Sequence, residues 1–268
     1  MKQVRVAILS NAGGSGKTTT TVHVAYELAK KGISVALFDL DPNKSLQLFT
    51  GTEVDDVITT AEILPDLKAF KGNYPLLPCW TEHTDKVDLI PGGGQDLIRL
   101  ANELVVNQRG TYLLSDCLED YPLPHDVFLY DCPATIGAIT SAALAASTHI
   151  LVPIQSEPKA ANGASLMLQW FYEEIDNLRL RPAPEILGVI INRHEHSWSY
   201  SREIEEGVPG KLAEQGIHTF STVREYADFM NASSYGIPLQ IYRPGHQKGV
   251  STKGFAEIAE RITAILRE

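Results

Sequence analysis

The stretch Ser10-Asn11-Ala12-Gly13-Gly14-Ser15-Gly16-Lys17-Thr18-Thr19 lies between an apolar run at 4–9 and a helical pattern that begins at Lys17. Its glycines allow successive backbone N–H groups to face one concavity, and Lys17 adds a positive charge for the β- and γ-phosphates of a nucleotide. The start of a helix also favours an anion, through its unpaired N–H groups and its dipole. We therefore predict a phosphate-binding loop, with Thr18 as a Mg²⁺ ligand, whose nucleotide-binding residues are Gly13, Gly14, Ser15, Gly16, Lys17, Thr18 and Thr19.

The loop departs from the strict pattern Gly-x-x-x-x-Gly-Lys-Thr, because Asn11 stands where the first glycine belongs. The alternative is a glycine-rich turn that binds no ligand. The context favours a phosphate loop, since an apolar strand precedes it and a helix with Val22, Tyr26 and Ala29 at helical spacing follows it.

The composition indicates one α/β domain that spans residues 1–268. A chain of this length with 44% hydrophobic residues can form a substantial core. Its 23 Lys and Arg against 33 Asp and Glu give a net charge of −10, which argues against a globally basic nucleic-acid-binding surface. A local basic patch remains open.

The three cysteines are Cys79, Cys117 and Cys132, and no two of them form a Cys-x-x-Cys pair. This usage fits a reducing compartment and disfavours disulfides, zinc and iron–sulfur clusters, so we expect small buried residues. An apolar strand near residue 4 leaves no room for a signal peptide, and no apolar run reaches the length of a membrane span. We expect a cytoplasmic protein without a membrane partner.

Aspartates follow two of the apolar runs. Asp39 and Asp41 follow the run 33–38, and Asp131 follows the run 127–130. The carboxyl ends of parallel strands share one sheet edge, where ligands bind, so these carboxylates would meet the phosphate loop. Asp131 and Thr18 are thus candidate Mg²⁺ ligands, and Asp39 and Asp41 are placed for Mg²⁺ or for an attacking water. The alternatives are a solvated turn of Asp, Pro and Asn, and an Asp that simply ends a strand.

Six buried strands alternate with helices along the chain, which predicts a doubly wound, mostly parallel sheet with helices on both faces. Asn192 and Arg193 follow the run 186–191, again at the carboxyl edge. A final strand is predicted at 219–223 and a last helix at 252–266. The loop after Arg193 carries two histidines, a tryptophan and a tyrosine, which suggest a metal site or a stacking surface but are more often simply exposed. These four residues are His194, His196, Trp198 and Tyr200.

Several motifs together resemble the ParA/MinD family of deviant Walker-box ATPases. Besides the phosphate loop, they are Asp39-Leu40-Asp41-Pro42, Tyr130-Asp131-Cys132-Pro133, Val152-Pro153-Ile154-Gln155 and Gly236-Ile237-Pro238-Leu239. The resemblance implies a deviant P-loop NTPase that uses ATP and Mg²⁺ and forms a homodimer around two ATP molecules. It also implies that Lys17 and Asp41 are catalytic, with Asp41 orienting the attacking water. Asn192 would read the adenine, and Arg193 and Pro238 would also contact the nucleotide.

One departure from the family concerns the signature lysine that reaches the partner's phosphates across the dimer. This chain has Ala12 at that position. A triphosphate without this cation keeps uncompensated negative charge. We suggest that Lys159, in the loop after the run 149–154, supplies the trans contact; the alternative is an ordinary exposed lysine.

A narrower resemblance, to a family member that spaces carboxysomes over the nucleoid, rests on the same loop and its missing lysine. It implies ATP-dependent binding to non-specific DNA and release when an adaptor protein stimulates hydrolysis. Contacts to DNA phosphates would be sensitive to salt. The candidate contacts are Arg193, Arg202, Arg224, Arg243 and Lys248. The alternatives are a solvated basic face, a plasmid or chromosome partition ATPase, and a membrane-surface ATPase, which the lack of a basic amphipathic tail after residue 266 disfavours.

Overall fold

In the computed structural model, which describes residues 3–156, 160–192, 199–224, 227–244 and 252–268, eight strands form one sheet. Its order is β3-β4-β2-β5-β1-β6-β7-β8. The strands are β1 (Val4–Ile8), β2 (Val35–Asp39), β3 (Leu77–Pro78), β4 (Val87–Ile90), β5 (Val127–Asp131), β6 (His149–Gln155), β7 (Glu185–Asn192) and β8 (Thr219–Phe220). All neighbours pair in parallel except β3 with β4.

Helices connect these strands and cover both faces of the sheet. They are α1 (Lys17–Ala29), α2 (Ser45–Thr50), α3 (Thr60–Ile63), α4 (Leu67–Phe70), α5 (Asp96–Val106), α6 (Leu113–Asp120), α7 (Ala138–Ala145), α8 (Ala160–Leu178), α9 (Ser199–Glu214), α10 (Ala227–Ser234), α11 (Leu239–Tyr242) and α12 (Lys253–Arg267). Short 3-10 turns occupy Leu64–Asp66 and Gly110–Tyr112.

Alternate residues of the strands supply two cores, one on each face of the sheet. In β1, Val4, Val6 and Ile8 pack with α1 and α12, whereas Ala7 packs with α5 to α8 on the opposite face. Such two-sided burial requires strands that are apolar throughout, which is the pattern of a covered parallel sheet. The predicted α/β class, with a mostly parallel sheet and helices on both faces, is confirmed.

The last helix, α12, buries Phe255, Ile258 and Ile262 completely against α1 and β1. Ile265 and Leu266, predicted on the same stripe, are half-buried at its end. Because α1 begins at the phosphate loop, this stripe fixes α12 against the helix that carries the candidate site.

The structure differs from the sequence-based expectation at three places. The strand predicted at 219–223 is only Thr219–Phe220, although the Val223 N–H still donates to the Ile191 carbonyl oxygen of β7 over 2.8 Å. The sequence did not indicate α9, since Gly207, Pro209 and Gly210 disfavour a helix, but burial of Val208 and Leu212 against the rest of the protein outweighs this preference. The sequence also did not indicate β3, a two-residue edge strand.

Further predictions concern the three cysteines, the cluster after β7 and membrane-spanning helices. The three cysteines are free thiols and are buried, as expected. The histidine and aromatic cluster after β7 lies outside the described residues, apart from the backbone of Tyr200. None of the helices in the described ranges has both the length and the apolar character needed to cross a bilayer.

Candidate nucleotide-binding site

The phosphate loop connects β1 to α1 and is tied to the ends of two other strands. Gln155, at the end of β6, donates from Nε2 to the Gly14 carbonyl oxygen over 2.8 Å. Asn192, at the end of β7, donates from Nδ2 to the Ser15 carbonyl oxygen over 3.1 Å. Because C=O and N–H of a planar trans peptide point in opposite directions, the N–H groups of Ser15 and Gly16 point away from these two side chains. An anion on that side of the loop can accept from them.

Glycine is required at Gly16, where α1 begins. Its φ of 85° lies in the left-handed region, and a Cβ there would lie 2.6 Å from Asn192 Nδ2. A side chain would therefore separate the loop from β7 as well as strain the backbone. Gly13, by contrast, faces open space, since a Cβ on this residue would have no atom within 4 Å.

Lys17 is the first residue of α1, and it is buried. Its Nζ donates to the Ala12 carbonyl oxygen over 3.4 Å, which uses one of the three ammonium donors within the described residues. Burial lowers the pKa of Lys17, while the charges of Asp131 and Asp41 act in the opposite direction. A buried ammonium with one long hydrogen bond is well suited to a phosphate oxygen.

Two carboxylates lie side by side under the phosphate loop. Asp39 ends β2 and Asp131 ends β5, and the two residues pair directly in the sheet. Thr18 Oγ1 donates to Asp131 Oδ2 over 2.7 Å, and Thr21 Oγ1 lies 3.5 Å from the other carboxylate oxygen. The predicted grouping of Thr18, Asp39 and Asp131 therefore exists in the fold.

The electrostatics of this pair indicate that a cation is needed. Burial raises the pKa of Asp39 well above its usual value, and the neighbouring charge of Asp131 raises it further. Burial likewise raises the pKa of Asp131 to about 7, although the Thr18 hydroxyl favours its charged form. Asp39 Oδ2 is buried without a hydrogen-bond partner in the described chain. Carboxylate and hydroxyl oxygens fit Mg²⁺, which keeps several of its waters and so needs few protein ligands.

That small ligand set matters, because among the described residues no three His, Cys, Asp or Glu side chains come together as a metal cluster. Mg²⁺ at this site would be held by Asp39, Asp131 and Thr18 together with water and phosphate oxygens.

Asp41 lies two residues beyond β2, half-buried, on the wall of the cavity. Its Oδ1 accepts two hydrogen bonds from Asn43, one from the backbone N and one from Nδ2, both over 2.9 Å. These bonds hold the carboxylate in place and leave Oδ2 available to a water in the cavity.

The cavity has a volume of about 430 Å³, and its remaining wall is largely apolar. This wall comes from α2, α10 and the segment after β8: Phe49, Val223, Arg224, Phe229, Met230 and Ser233. Phosphate-binding groups at one part of a cavity and apolar side chains at another are the arrangement that a nucleotide requires, since its base is flat and mostly apolar.

Comparison with known proteins agrees with this arrangement. The AAA_31 family, described as an AAA domain, matches residues 3–182. The chain belongs to this family. It is a ParA/MinD-family ATPase.

Relatives of this AAA-domain ATPase match it over almost its whole length. The chromosome partitioning protein ParA of Caulobacter vibrioides is 28% identical over 268 residues, which cover 98% of this chain and 95% of the relative. The ATP complex of a Cyanothece McdA variant is 23% identical, with a TM-score of 0.80 over 97% of this chain and 96% of that one. The septum site-determining protein MinD of Pyrococcus horikoshii, bound to Mg-ADP, is 22% identical, with a TM-score of 0.71 over 99% of this chain and 97% of that one. These last two likenesses show the shared fold.

The ATPase brings most of the predicted site residues to one cavity. The wall of this cavity includes the loop residues 13–19, Asp41 and Asn192. The Asp39–Asp131 pair lies beneath Thr18. Asn192 has a double role in the structure. Its Nδ2 also donates to Thr20 Oγ1 over 3.1 Å, and its Oδ1 is buried without a partner in the described chain. The amino group of adenine is a hydrogen-bond donor, and Asn192 Oδ1 could accept a hydrogen bond from it.

Pro238 is not among the residues that line the cavity, and its contact with a nucleotide stays a prediction. It precedes α11, and the N–H of the next residue, Leu239, donates to His23 Nε2 over 3.1 Å. The segment 236–239 is thus attached to the back of α1 rather than to the cavity wall.

The basic candidates are scattered. Arg224 is exposed and lies on the cavity wall, and Arg243 forms an ion pair with Asp228 at 3.0 Å. Arg202 belongs to α9, but its side chain is outside the described part of the chain. Arg193, Lys159 and Lys248 also lie outside the described residues.

Sequence reasoning missed Gln155 as a loop contact and the apolar part of the wall. Gln155 had a signal, because it follows an apolar run at the carboxyl edge. Phe229 and Met230 had none, since a short helix far along the chain carries them to the cavity through tertiary packing.

Proposed function

We propose that this ATPase is a dimerising, ATP-dependent switch that binds non-specific nucleoid DNA and positions a cargo, most specifically carboxysomes. The observation that carries the nucleotide part is the convergence of Lys17, the Thr18–Asp131 pair and Asp39 at one end of a cavity whose other walls are apolar. ATP and Mg²⁺ are the ligands of this site in the proposal, in line with the ATP and Mg-ADP complexes of the similar structures.

Each residue then has a distinct task. Loop N–H groups and Lys17 bind the phosphates, and Thr18, Asp39 and Asp131 hold Mg²⁺, which offsets phosphate charge. Asp41 orients the attacking water with the oxygen that Asn43 leaves unused. Since such chemistry consists mainly of positioning and charge stabilisation, a site completed only in the dimer hydrolyses ATP slowly and acts as a switch.

The proposed trans contact concerns Ala12 and Lys159. The phosphate loop has no lysine at Ala12, so a dimer around two ATP molecules needs another cation. Gln155, four residues before Lys159 in the sequence, is bonded to Gly14 of the phosphate loop. This supports Lys159 as the residue that reaches the partner's phosphates. A Lys159→Ala protein that dimerises and hydrolyses ATP as wild type does would contradict it.

DNA binding is proposed from the similarity to the chromosome partitioning protein ParA and from the position of Arg224. Arg224 lies on the nucleotide cavity and also on a neighbouring groove that carries Lys253 and Arg261 together with Glu257 and Glu260, and Lys253 pairs with Glu257 at 3.4 Å. Exposed cations of this kind bind DNA phosphates without regard to sequence.

The cargo is proposed from the similarity to McdA and from the missing signature lysine. In this proposal the ATPase is cytoplasmic and associated with the nucleoid, and an McdB-like adaptor stimulates ATP hydrolysis and thereby releases the ATPase from the DNA. The second candidate is a plasmid or chromosome partition ATPase, which the ParA relative favours. A MinD-like membrane-surface ATPase is the weakest of the three, because α12 uses its apolar stripe in the core.

The test is co-sedimentation of the purified protein with arbitrary duplex DNA and, separately, with anionic vesicles. Each is measured with ATP, with ADP and without nucleotide. We expect retention on DNA with ATP alone, and weaker retention as salt rises. Binding to vesicles alone would favour the MinD-like alternative, and binding to neither would contradict the DNA proposal.

Two arginine variants sharpen the test. Arg224→Ala should weaken DNA retention and lower the salt dependence by about one phosphate contact. Arg99→Ala is the matched control, because Arg99 is exposed on α5, which packs on the face of the sheet opposite to α12, and pairs there with Asp96. Equal effects of the two variants would mean that Arg224 acts only through net charge.

A further inference from the structure

His23 lies in α1, one turn after Thr19, and almost none of it is exposed. Its two ring nitrogens have different partners. Nδ1 lies 2.6 Å from the Thr19 carbonyl oxygen, and Nε2 lies 3.1 Å from the backbone N of Leu239. A backbone N–H can only donate, so Nε2 accepts, and the ring carries its proton on Nδ1. The imidazole is therefore neutral and joins the phosphate-loop helix to the segment before α11.

The faces and edges of the same ring contact two aromatic side chains. Phe255 of α12 stacks on it, with ring centroids 4.9 Å apart, and Phe229 of α10 meets it edge-on at 5.1 Å. Phe229 is also part of the cavity wall. One side chain thus touches the phosphate-loop helix, the apolar wall of the cavity and the terminal helix.

A second bond strengthens the connection between α1 and the segment at Leu239. Gln240 Nε2 donates to Glu27 Oε1 over 3.1 Å and approaches the His23 carbonyl oxygen at 3.4 Å. Glu27 is buried one turn further along α1. Gln240 Oε1 has no partner in the described chain, but the bonds that Nε2 makes fix the amide against α1, so the junction has a defined geometry rather than a loose apolar contact.

The cavity needs such a junction, because its two parts come from distant segments. The phosphate groups bind at the start of α1, whereas Phe229 and Met230 belong to α10, and the chain between these parts passes through most of the fold. The distance between the two parts must match the length of a nucleotide. His23 belongs to α1 and contacts Phe229 of α10 directly, so it connects the two parts of the cavity.

We infer that His23 is a positioning residue that fixes the apolar, base-binding wall of the cavity relative to the phosphate loop, and so contributes to the selection of the base. The inference rests on the proposed function in one respect, since it takes a nucleotide to be the ligand. His23 itself does not line the cavity and acts through Phe229 and Leu239.

The test uses two variants of similar size. His23→Gln places an amide oxygen near the position of Nε2 and can still accept from the Leu239 N–H. His23→Leu leaves that N–H buried without an acceptor. Calorimetry measures the affinity of each full-length protein for three probes in the presence of Mg²⁺: ATP, GTP and inorganic tripolyphosphate. Tripolyphosphate reports on the phosphate loop alone.

For His23→Leu we expect the affinity for ATP to fall by about tenfold, since an unpaired buried donor shifts the wall. Affinity for tripolyphosphate should stay at the wild-type value, and the preference for ATP over GTP should decrease. His23→Gln should recover most of the ATP affinity. Thr263→Val is the control for a lost buried hydrogen bond, because Thr263 Oγ1 bonds only within α12, to Ala259, and should leave all ratios unchanged.

The outcomes of these measurements distinguish the positioning role of His23 from the assignment of a nucleotide as the ligand. If His23→Leu weakens ATP and tripolyphosphate equally, or changes neither, the positioning role is wrong. If His23→Leu does not fold, His23→Asn replaces it, because its shorter side chain cannot reach the Leu239 N–H. An ATP-to-GTP ratio that moves in His23→Asn with unchanged tripolyphosphate affinity supports the role, and an unmoved ratio overturns it. If the wild-type protein binds tripolyphosphate but does not distinguish ATP from it, the nucleotide assignment itself fails.

Discussion

Asp41 differs from the other two aspartates of the site in its surroundings. Asp39 and Asp131 are buried and lie opposite each other on the neighbouring strands β2 and β5. Asp41 is half-buried, and hydrogen bonds from Asn43 hold its carboxylate. Environment thus separates the roles of three chemically identical groups. The buried pair suits a metal ion, and the accessible carboxylate suits a water.

Replacing Asp41 with alanine tests this division. We expect Asp41→Ala to lower the rate of ATP hydrolysis by about 100-fold or more, because the water loses its orienting group. ATP affinity should change little, so the ATP-bound dimer of the proposed switch should accumulate. Phosphate release in a single turnover and size-exclusion chromatography with ATP measure the two effects.

Asn43→Ala is the graded control, because it removes the side-chain hydrogen bond to Asp41 but keeps the carboxylate. It should hydrolyse ATP at a rate between those of wild type and Asp41→Ala. Normal turnover in Asp41→Ala would assign the water to another residue.

The pH dependence of stability tests the state of His23. Burial lowers the pKa of His23 to about 4, from an ordinary value of 6.5. As the pH falls below 6.5 the unfolded chain takes up a proton at this side chain, whereas the folded chain does so only near pH 4. The free energy of unfolding therefore falls across this window, by about 3 kcal/mol in total. Above pH 6.5 both states are neutral and this contribution is complete.

Urea unfolding of the wild-type protein and of His23→Gln from about pH 4 to 7.5 measures it. Glu27, Asp39 and Asp131 are present in both proteins, so the difference between the two curves isolates the histidine. A difference that does not vary with pH would mean that the folded and unfolded chains bind this proton equally well, so that folding does not lower the pKa of His23.

At the scale of elements, close backbone approaches position the carboxyl ends of the strands. The turn after β4 runs so near the end of β2 that a Cβ at Gly92 would lie 1.8 Å from the Asp39 carbonyl oxygen. Gly92, Gly93 and Gly94, which follow β4 after Pro91, therefore form a turn that lets β4 and β2 end together.

Gly92→Ala should destabilise the protein by about 1–3 kcal/mol, because the turn must move away from β2. It should also weaken Mg²⁺-dependent ATP binding, since Asp39 moves with that strand end. Gly207→Ala is the contrasting variant. Gly207 is exposed within α9 with open space around it, so alanine should raise the free energy of unfolding by up to about 1 kcal/mol. Denaturant unfolding compares the two, and a neutral Gly92→Ala would contradict the close approach.

The same scale explains what the sequence could and could not predict. Apolar runs that end in aspartate, and glycines before Lys17, are local signals, so the sheet edge and the phosphate loop were predictable. The bond between His23 and Leu239 joins residues 216 positions apart, and no local pattern encodes it. Phe229 looked like an ordinary helix residue for the same reason. A motif fixes the order of residues but not which side of a loop faces the cavity, so the motif at 236–239 did not indicate the bond to His23.

For the whole molecule, the first and last helices form one unit on the same face of the sheet. α12 packs along α1 and buries Phe255, Ile258 and Ile262 completely. The helix that carries the phosphate loop is thus supported by the opposite end of the described chain.

Ile258→Ala should lower the free energy of unfolding by about 2–5 kcal/mol, because it leaves a cavity in this interface. Glu260→Ala, two residues further on the exposed side of α12, should change it by no more than about 0.5 kcal/mol. Denaturant unfolding with and without Mg·ATP measures both, and bound nucleotide should restore part of the loss, since it binds only the folded chain. Equal effects of the two substitutions would mean that α12 is not docked as described.

β1 leaves the ribosome long before β5 and β6, the two strands between which it lies. At about 5–20 residues per second, the ribosome needs roughly 10 s to make the segment that separates β1 from β5. During that time the apolar side chains of Val4, Val6 and Ile8 have no strand beside them and are accessible to chaperones. A nascent chain that already carries the complete glycine-rich motif is therefore unable to bind a nucleotide until β6 and β7 have emerged and Gln155 and Asn192 can hold the loop.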